Sequence, residues 1–136
     1  MKMSGFSLLR IAGSALTAQR FRMDVISSNI ANLETTRTPE GGPYHRKIVS
    51  FQSMLLGQDQ VQGVKVAQLS EDPSERLVYD PSHPDADPET GMVHYPDMDL
   101  VTELTDLMSA QRSFEMNSNA IAIARQVYTK SMEIGR

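Results

Sequence analysis

The chain has 136 residues, 40% hydrophobic and 6% aromatic, with no Trp, no Cys and a formal charge of −4: enough for one average domain and too little for a second independent core. The negative balance excludes a general nucleic-acid binder, which needs surplus Lys and Arg. The absence of Cys excludes disulfides, thiolate metal sites and Cys nucleophiles.

Residues 1–47 carry 7 basic and 3 acidic side chains. Leu9, Leu16, Met23 and Ile30 recur every seven residues, as do Ala12, Gln19, Ile26 and Leu33. This spacing predicts one long helix over about residues 7–32, with an a/d-like seam interrupted at Gln19. Arg10 cuts the first apolar stretch, and no run approaches about 18 apolar residues. Neither a cleaved secretory signal nor a membrane-inserted helix is therefore expected.

Residues 38–98 hold all 7 prolines, and residues 48–106 carry 12 acidic side chains against 2 basic ones. Short β-like runs stand at 44–51, 61–69, 76–79 and 92–95, separated by a Pro-rich turn over 80–91. That turn holds the one cluster suggestive of chemistry: Asp80, His83, Asp85, Asp87 and Glu89, with His94 and Asp97 nearby. As a calcium loop starting at Asp85 it fails, because Gly91 falls at the seventh position and Pro96 occupies the place of the bidentate Glu. His45 stands alone, and no nucleophile elbow, Walker loop or dinucleotide fingerprint is present. The reading is a rigid connector, with no catalytic residue, no cofactor and no metal site.

From Asp99 to Glu133 there is neither Gly nor Pro. Leu107, Phe114, Ile121 and Tyr128 form one seven-spaced row, and Leu104, Gln111, Ser118, Arg125 and Met132 form a companion row with a polar middle. Met116, Ala120, Ile123, Val127 and Ile134 make a second apolar stripe, and a helix apolar on two sides needs more than one partner. Asp97 or Asp99 is a candidate N-cap and Gly135 a candidate stop. The expected fold class is mainly α: terminal helices (1–37 and 99–136) pair as a coiled-coil-like stem around a small extended or β-hairpin middle (38–98), all one structural unit. The expected assembly interface comprises Leu9, Leu16, Met23, Ile26 and Ile30 with Leu104, Leu107, Phe114, Ile121 and Tyr128.

The end of the first helix is more specific. Ser28-Asn29-Ile30-Ala31-Asn32-Leu33-Glu34-Thr35-Thr36, followed by Pro43-Tyr44-His45-Arg46-Lys47, resembles the N-terminal signature of the axial proteins of the bacterial flagellum. The resemblance continues in Tyr79-Asp80-Pro81-Ser82-His83-Pro84-Asp85-Ala86-Asp87, Gly91-Met92-Val93 and Tyr95-Pro96-Asp97-Met98-Asp99. It extends through Glu103-Leu104, Asp106-Leu107-Met108, Ala110, Arg112-Ser113-Phe114-Glu115-Met116-Asn117 and the closing Gly135-Arg136. Together these are similar to the FlgC-type proximal rod proteins, in order and over nearly the whole chain. Met92 stands where an aromatic is usual, Asp97 where Asn is usual and Met116 where Ala is common.

The resemblance marks Asn29, Ala31, Asn32, Thr35, Tyr79, Asp80, Pro81, His83, Pro84, Pro96, Arg112 and Asn117 as motif residues. It implies a structural subunit of the basal-body rod, assembling helically with itself and other rod proteins into a drive shaft across the periplasm. It also implies export by the flagellar type III apparatus without a cleaved signal. No nucleic-acid partner, small-molecule substrate or direct membrane insertion is implied. Two other readings stay open on the residues: a helical adaptor docking one partner without catalysis, and a metal-dependent hydrolase built on the His83 cluster.

Overall fold

In the computed structural model, which describes residues 5–57 and 61–135, the elements run α1 (Gly5–Ala31), β1 (Arg46–Leu56), β2 (Val61–Asp72), β3 (Glu75–Tyr79), β4 (Met92–Pro96) and α2 (Leu100–Ile134). Arg136, the last residue of the C-terminal motif, lies outside the described residues. Asp99 caps α2: its carboxylate accepts Val101 N and Thr102 Oγ1, and its carbonyl accepts Glu103 N. At the other end Ser131 O accepts Gly135 N, as a helix exit requires.

The mainly α class is corrected by the strands. About 48% of the described residues are helical and 26% are in strands, which form two antiparallel sheets, β1–β2 and β3–β4. The physical reason lies in the first sheet, whose strands are 11 and 12 residues long. In β1 the half-buried apolar residues are Val49, Phe51, Met54 and Leu56, with exposed Ser50, Gln52 and Leu55 among them. Gln52-Ser53 breaks the apolar alternation at sequence level, yet the backbone stays extended through it to Leu56. A strand continues through polar residues where its ladder hydrogen bonds persist.

The chain divides into two compact units. The first comprises Met1–Met23, Val49–Gln68 and Met108–Arg136. Here β2 approaches α1 closely: Ser14 Oγ donates to Ile11 O at 2.8 Å and accepts Val64 N at 3.1 Å. Gly63 makes that approach possible, since a Cβ there would lie 2.5 Å from Leu56 Cδ1 and 2.8 Å from Ser14 Oγ. Among the described residues Ala12, Ala18 and Ala110 are the buried hydrophobic ones of this unit, all too small to form a thick core.

The second unit comprises Asp24–Ile48 and Leu69–Leu107. The β3–β4 register pairs Val78 with Val93 and Arg76 with Tyr95. Val93 is fully buried, and the Arg76 guanidinium lies 4.9 Å from the Tyr95 ring centroid, a stabilising cation–π distance. The opposite face of this sheet leaves Leu77 and Tyr79 exposed. The loop between the strands is knitted by its own backbone, with Asp80 N on Gly91 O, Gly91 N on Asp87 O and Asp87 N on Met92 O. Gly91 has φ +71° and lies under the Tyr79 ring, so only glycine suits that turn.

Two glycines separate space from propensity. Gly63→Ala should destabilise the chain by about 1–3 kcal/mol through overpacking. Gly13→Ala, in α1 with nothing within 4 Å of its Cβ position, should stabilise it by about 0.5–1 kcal/mol. Urea unfolding of both variants checks the opposite signs.

Candidate assembly site and its supporting clasp

The C-terminal turn of α1 carries the motif residue Asn29, whose side chain turns inward. Asn29 is 1% exposed. Its Nδ2 donates to Lys47 O at 2.9 Å, and its Oδ1 accepts Lys47 N at 3.0 Å and the Tyr44 hydroxyl at 2.8 Å. One primary amide thus offers β1 the donor and acceptor that an extended neighbour would offer. Asn32 works locally: Nδ2 donates to Ser28 O, and Oδ1 accepts Thr35 Oγ1. Ser28 O thus accepts both the backbone N–H and the side-chain amide of Asn32 at the helix end.

Glu103 on α2 completes this clasp. It is 1% exposed and its carboxylate takes the Arg46 Nε hydrogen bond as an ion pair, with Asn29 Nδ2 3.4 Å from Oε2. Asp106 lies 3.6 Å from the same guanidinium. The Glu103 hydrogen bond raises the Arg46 pKa above its ordinary value, against the partial burial that opposes it. A carboxylate this buried is tolerable only because it is paired and hydrogen-bonded.

The Pro-rich loop is tied to the α1 exit in the same unit. Asp85 accepts Thr36 Oγ1 at 2.6 Å and Arg37 Nε at 2.8 Å, and these contacts, Thr36 first, lower its pKa. His83 is a turn residue: Nδ1 accepts Asp85 N at 3.0 Å, and its ring packs edge-on to Tyr95. Among the described residues no group of three or more His, Asp or Glu is placed to hold a metal ion. A separate bridge joins His45, from just before β1, and His94 of β4 through Glu75, at 3.2 and 2.7 Å. The two imidazoles, His45 first, lower the Glu75 pKa.

The remaining motif residues spread over surface and interior. Pro96 is buried, Thr35, Asp80 and Asn117 are half-buried, and Ala31, Tyr79, Pro81, Pro84 and Arg112 are exposed. Of the seam residues, Ile26 is buried, whereas Leu9, Leu16, Met23, Ile30, Leu107, Phe114 and Ile121 are half-buried, and Leu104 and Tyr128 are exposed. The exposed large apolar residues of α2 are Leu100, Val101, Leu104, Met108, Met116, Ile123, Val127, Tyr128, Met132 and Ile134, of which Val101, Leu104, Met108, Met116, Ile123, Val127 and Ile134 recur at helical spacing. An apolar groove of about 670 Å³ lies between α1 at Leu8, Ile11 and Ala12 and α2 at Ala120, Ile123, Ala124 and Val127. No helix is long and apolar enough to cross a membrane among the described residues.

The family model of the flagella basal body rod protein matches residues 9–37, and that of the flagellar basal body rod FlgEFG protein C-terminal matches residues 89–134. The flagellar basal-body rod protein FlgC of Bacillus subtilis is 43% identical over 98% of this chain and 100% of that protein. The FlgC of Borreliella burgdorferi is 39% identical over 95% and 96%, and that of Escherichia coli O6:H1 is 38% identical over 98% and 100%. The chain belongs to the FlgC family of flagellar basal-body rod proteins. It is a structural rod subunit and not an enzyme.

Within this rod protein, Asn29 falls in the N-terminal family match and Glu103 in the C-terminal one. Tyr44, which bonds Asn29, and Arg46, which pairs with Glu103, fall in neither. Arg46 and Glu103 were missed as site residues because two charges 57 positions apart carry no sequence signal of their pairing. The quoted Pro43–Lys47 and Glu103–Leu104 motif segments were the one pointer to them.

Arg46→Met should cost about 3–5 kcal/mol, because it strands the buried Glu103 carboxylate. Glu103→Gln should cost less, about 1–3 kcal/mol, since Arg46 retains solvent and Asp106. Chemical denaturation of the two variants tests that order. Asp85 supplies the pH test: a carboxylate with a lowered folded pKa stabilises the chain fully above about pH 5, and the contribution is lost as pH falls below about 4. Asp85→Asn should therefore be less stable at pH 6 and show a shallower fall in stability toward pH 2.

Proposed function

We propose that this rod subunit belongs to the proximal part of the rod. There it assembles helically with copies of itself and with other rod proteins into the shaft that carries motor torque across the periplasm. The observation that carries the reading is the run of exposed Val101, Leu104, Met108, Met116, Ile123, Val127 and Ile134 along α2. So many large apolar side chains exposed along one helix are characteristic of a protein–protein interface. Heterologous contacts of such faces extend into open helical assemblies instead of closed pairs. Packed side chains resist deformation, which suits a torque-bearing part.

The seam expected from the sequence fits the same role. Leu104 and Tyr128 stand open to a neighbour, and half-buried Leu107, Phe114 and Ile121 lie beside them to be covered more fully on assembly. Delivery through the flagellar type III export apparatus, without a cleaved signal, accords with a chain that has no Cys to cross-link.

Val127→Asp tests the reading. A surface substitution of this kind should change subunit stability by no more than about 0.5 kcal/mol, while incorporation into rods and motility should be lost. Normal rods built from a folded Val127→Asp subunit would overturn the assembly role of this face. A defined one-to-one complex with a single soluble protein would favour an adaptor.

A further inference from the structure

Methionine is unevenly exposed along this chain. Among the described residues Met108, Met116 and Met132, all on α2, are 66%, 65% and 59% exposed, whereas Met23, Met54, Met92 and Met98 are half-buried. Met132 falls in the row of polar Gln111, Ser118 and Arg125, while the thioethers of Met108 and Met116 sit among Val, Leu and Ile at the spacing of the exposed apolar stripe, and a chain without Cys offers peroxide no more reactive sulfur. Thioether oxidation turns a flexible apolar side chain into a polar, chiral one.

We propose that Met108 and Met116 are peroxide-oxidation sites that decide whether a subunit can enter the rod, an inference resting on the assembly role of the α2 stripe. The methionine sulfur attacks one oxygen of hydrogen peroxide; the O–O bond breaks, an S–O bond forms, and the other oxygen leaves as water after proton transfer. Sulfur loses two electrons and peroxide gains them. The sulfoxide oxygen then projects from the middle of an aliphatic stripe. Burying it against a neighbouring apolar face without a donor is unfavourable, so an oxidised subunit is excluded. A subunit already in place has both sulfurs covered and is spared.

The experiment treats the full-length folded chain with graded hydrogen peroxide and reads each methionine by peptide mass spectrometry, then measures co-assembly with other rod proteins by sedimentation. Met108 and Met116 should gain oxygen severalfold faster than Met23 and Met98. Treated wild type should lose co-assembly, and a mixture of the two methionine sulfoxide reductases should restore it. The Met108→Leu/Met116→Leu variant, treated identically, should retain it. Equal oxidation rates at Met23 and Met108, or undiminished co-assembly of oxidised wild type, would overturn the proposal. A Met108→Gln/Met116→Gln variant separates the two levels. If it assembles normally, the α2 stripe is not an interface and the assembly reading falls with this one. If it fails to assemble while peroxide-treated wild type succeeds, only the oxidation proposal falls.

Discussion

The side-chain amide of Asn29 meets a constraint that the rest of its unit inherits. Where α1 ends, the backbone N–H groups of Asn32 and Leu33 close its last turn on Ser28, Asn29 and Ile30, and where β1 begins, Lys47 presents a donor and an acceptor. The amide of Asn29 satisfies both Lys47 groups, and that of Asn32 returns to Ser28 O. Aspartate in place of Asn29 would lack the donor, and a hydrophobic residue would leave Lys47 unpaired in a buried position. The geometry then fixes where Arg46, the preceding residue, meets Glu103 of α2. Three segments distant in sequence are thereby held by one polar cluster in which each buried group has a partner.

That polar cluster matters more because the apolar interior is thin. Among the described residues the buried hydrophobic ones are Ala12, Ala18, Val25, Ile26, Val93 and Ala110, mostly small, while many of the largest aliphatic side chains lie outside. A chain of this size buries a modest fraction of its surface by itself. Its specificity of fold therefore leans on directional contacts: the Asn29 amide, the Arg46–Glu103 pair, the Asp85 link to Thr36 and Arg37, and the Ser14 hydroxyl under β2. Many of the larger apolar side chains of α2 stay exposed in this economy.

The Pro-rich loop shows how one set of residues can suggest chemistry and perform architecture. Asp80, His83, Asp85 and Asp87 are the residue types of a metal site, but each turns to the loop itself or to the α1 exit. His83 receives the Asp85 backbone, Asp80 receives the Ser82 hydroxyl, and Asp87 receives Glu89 N. Short polar side chains next to proline bond the nearby backbone more readily than they converge on a common point.

The sequence by itself determined the two long helices, because seven-residue spacing and the absence of proline act locally. It determined the turn over 80–91 for the same kind of reason, and its ordered motifs identified the rod family. It pointed to Asn29 as a signature residue but not to what Asn29 does, since the Lys47 backbone that it grips lies 18 positions away. Tertiary structure alone decided the rest. The strands extend well past their apolar cores because ladder pairing outweighs side-chain pattern, which moves the fold away from the mainly α class. Glu103 and Arg46 meet because packing brings opposite charges from β1 and α2 to one buried point. Which apolar stripe of α2 stays open depends on what the remainder of the chain covers. Periodicity locates such stripes on a helix but does not say which of them the chain itself will use.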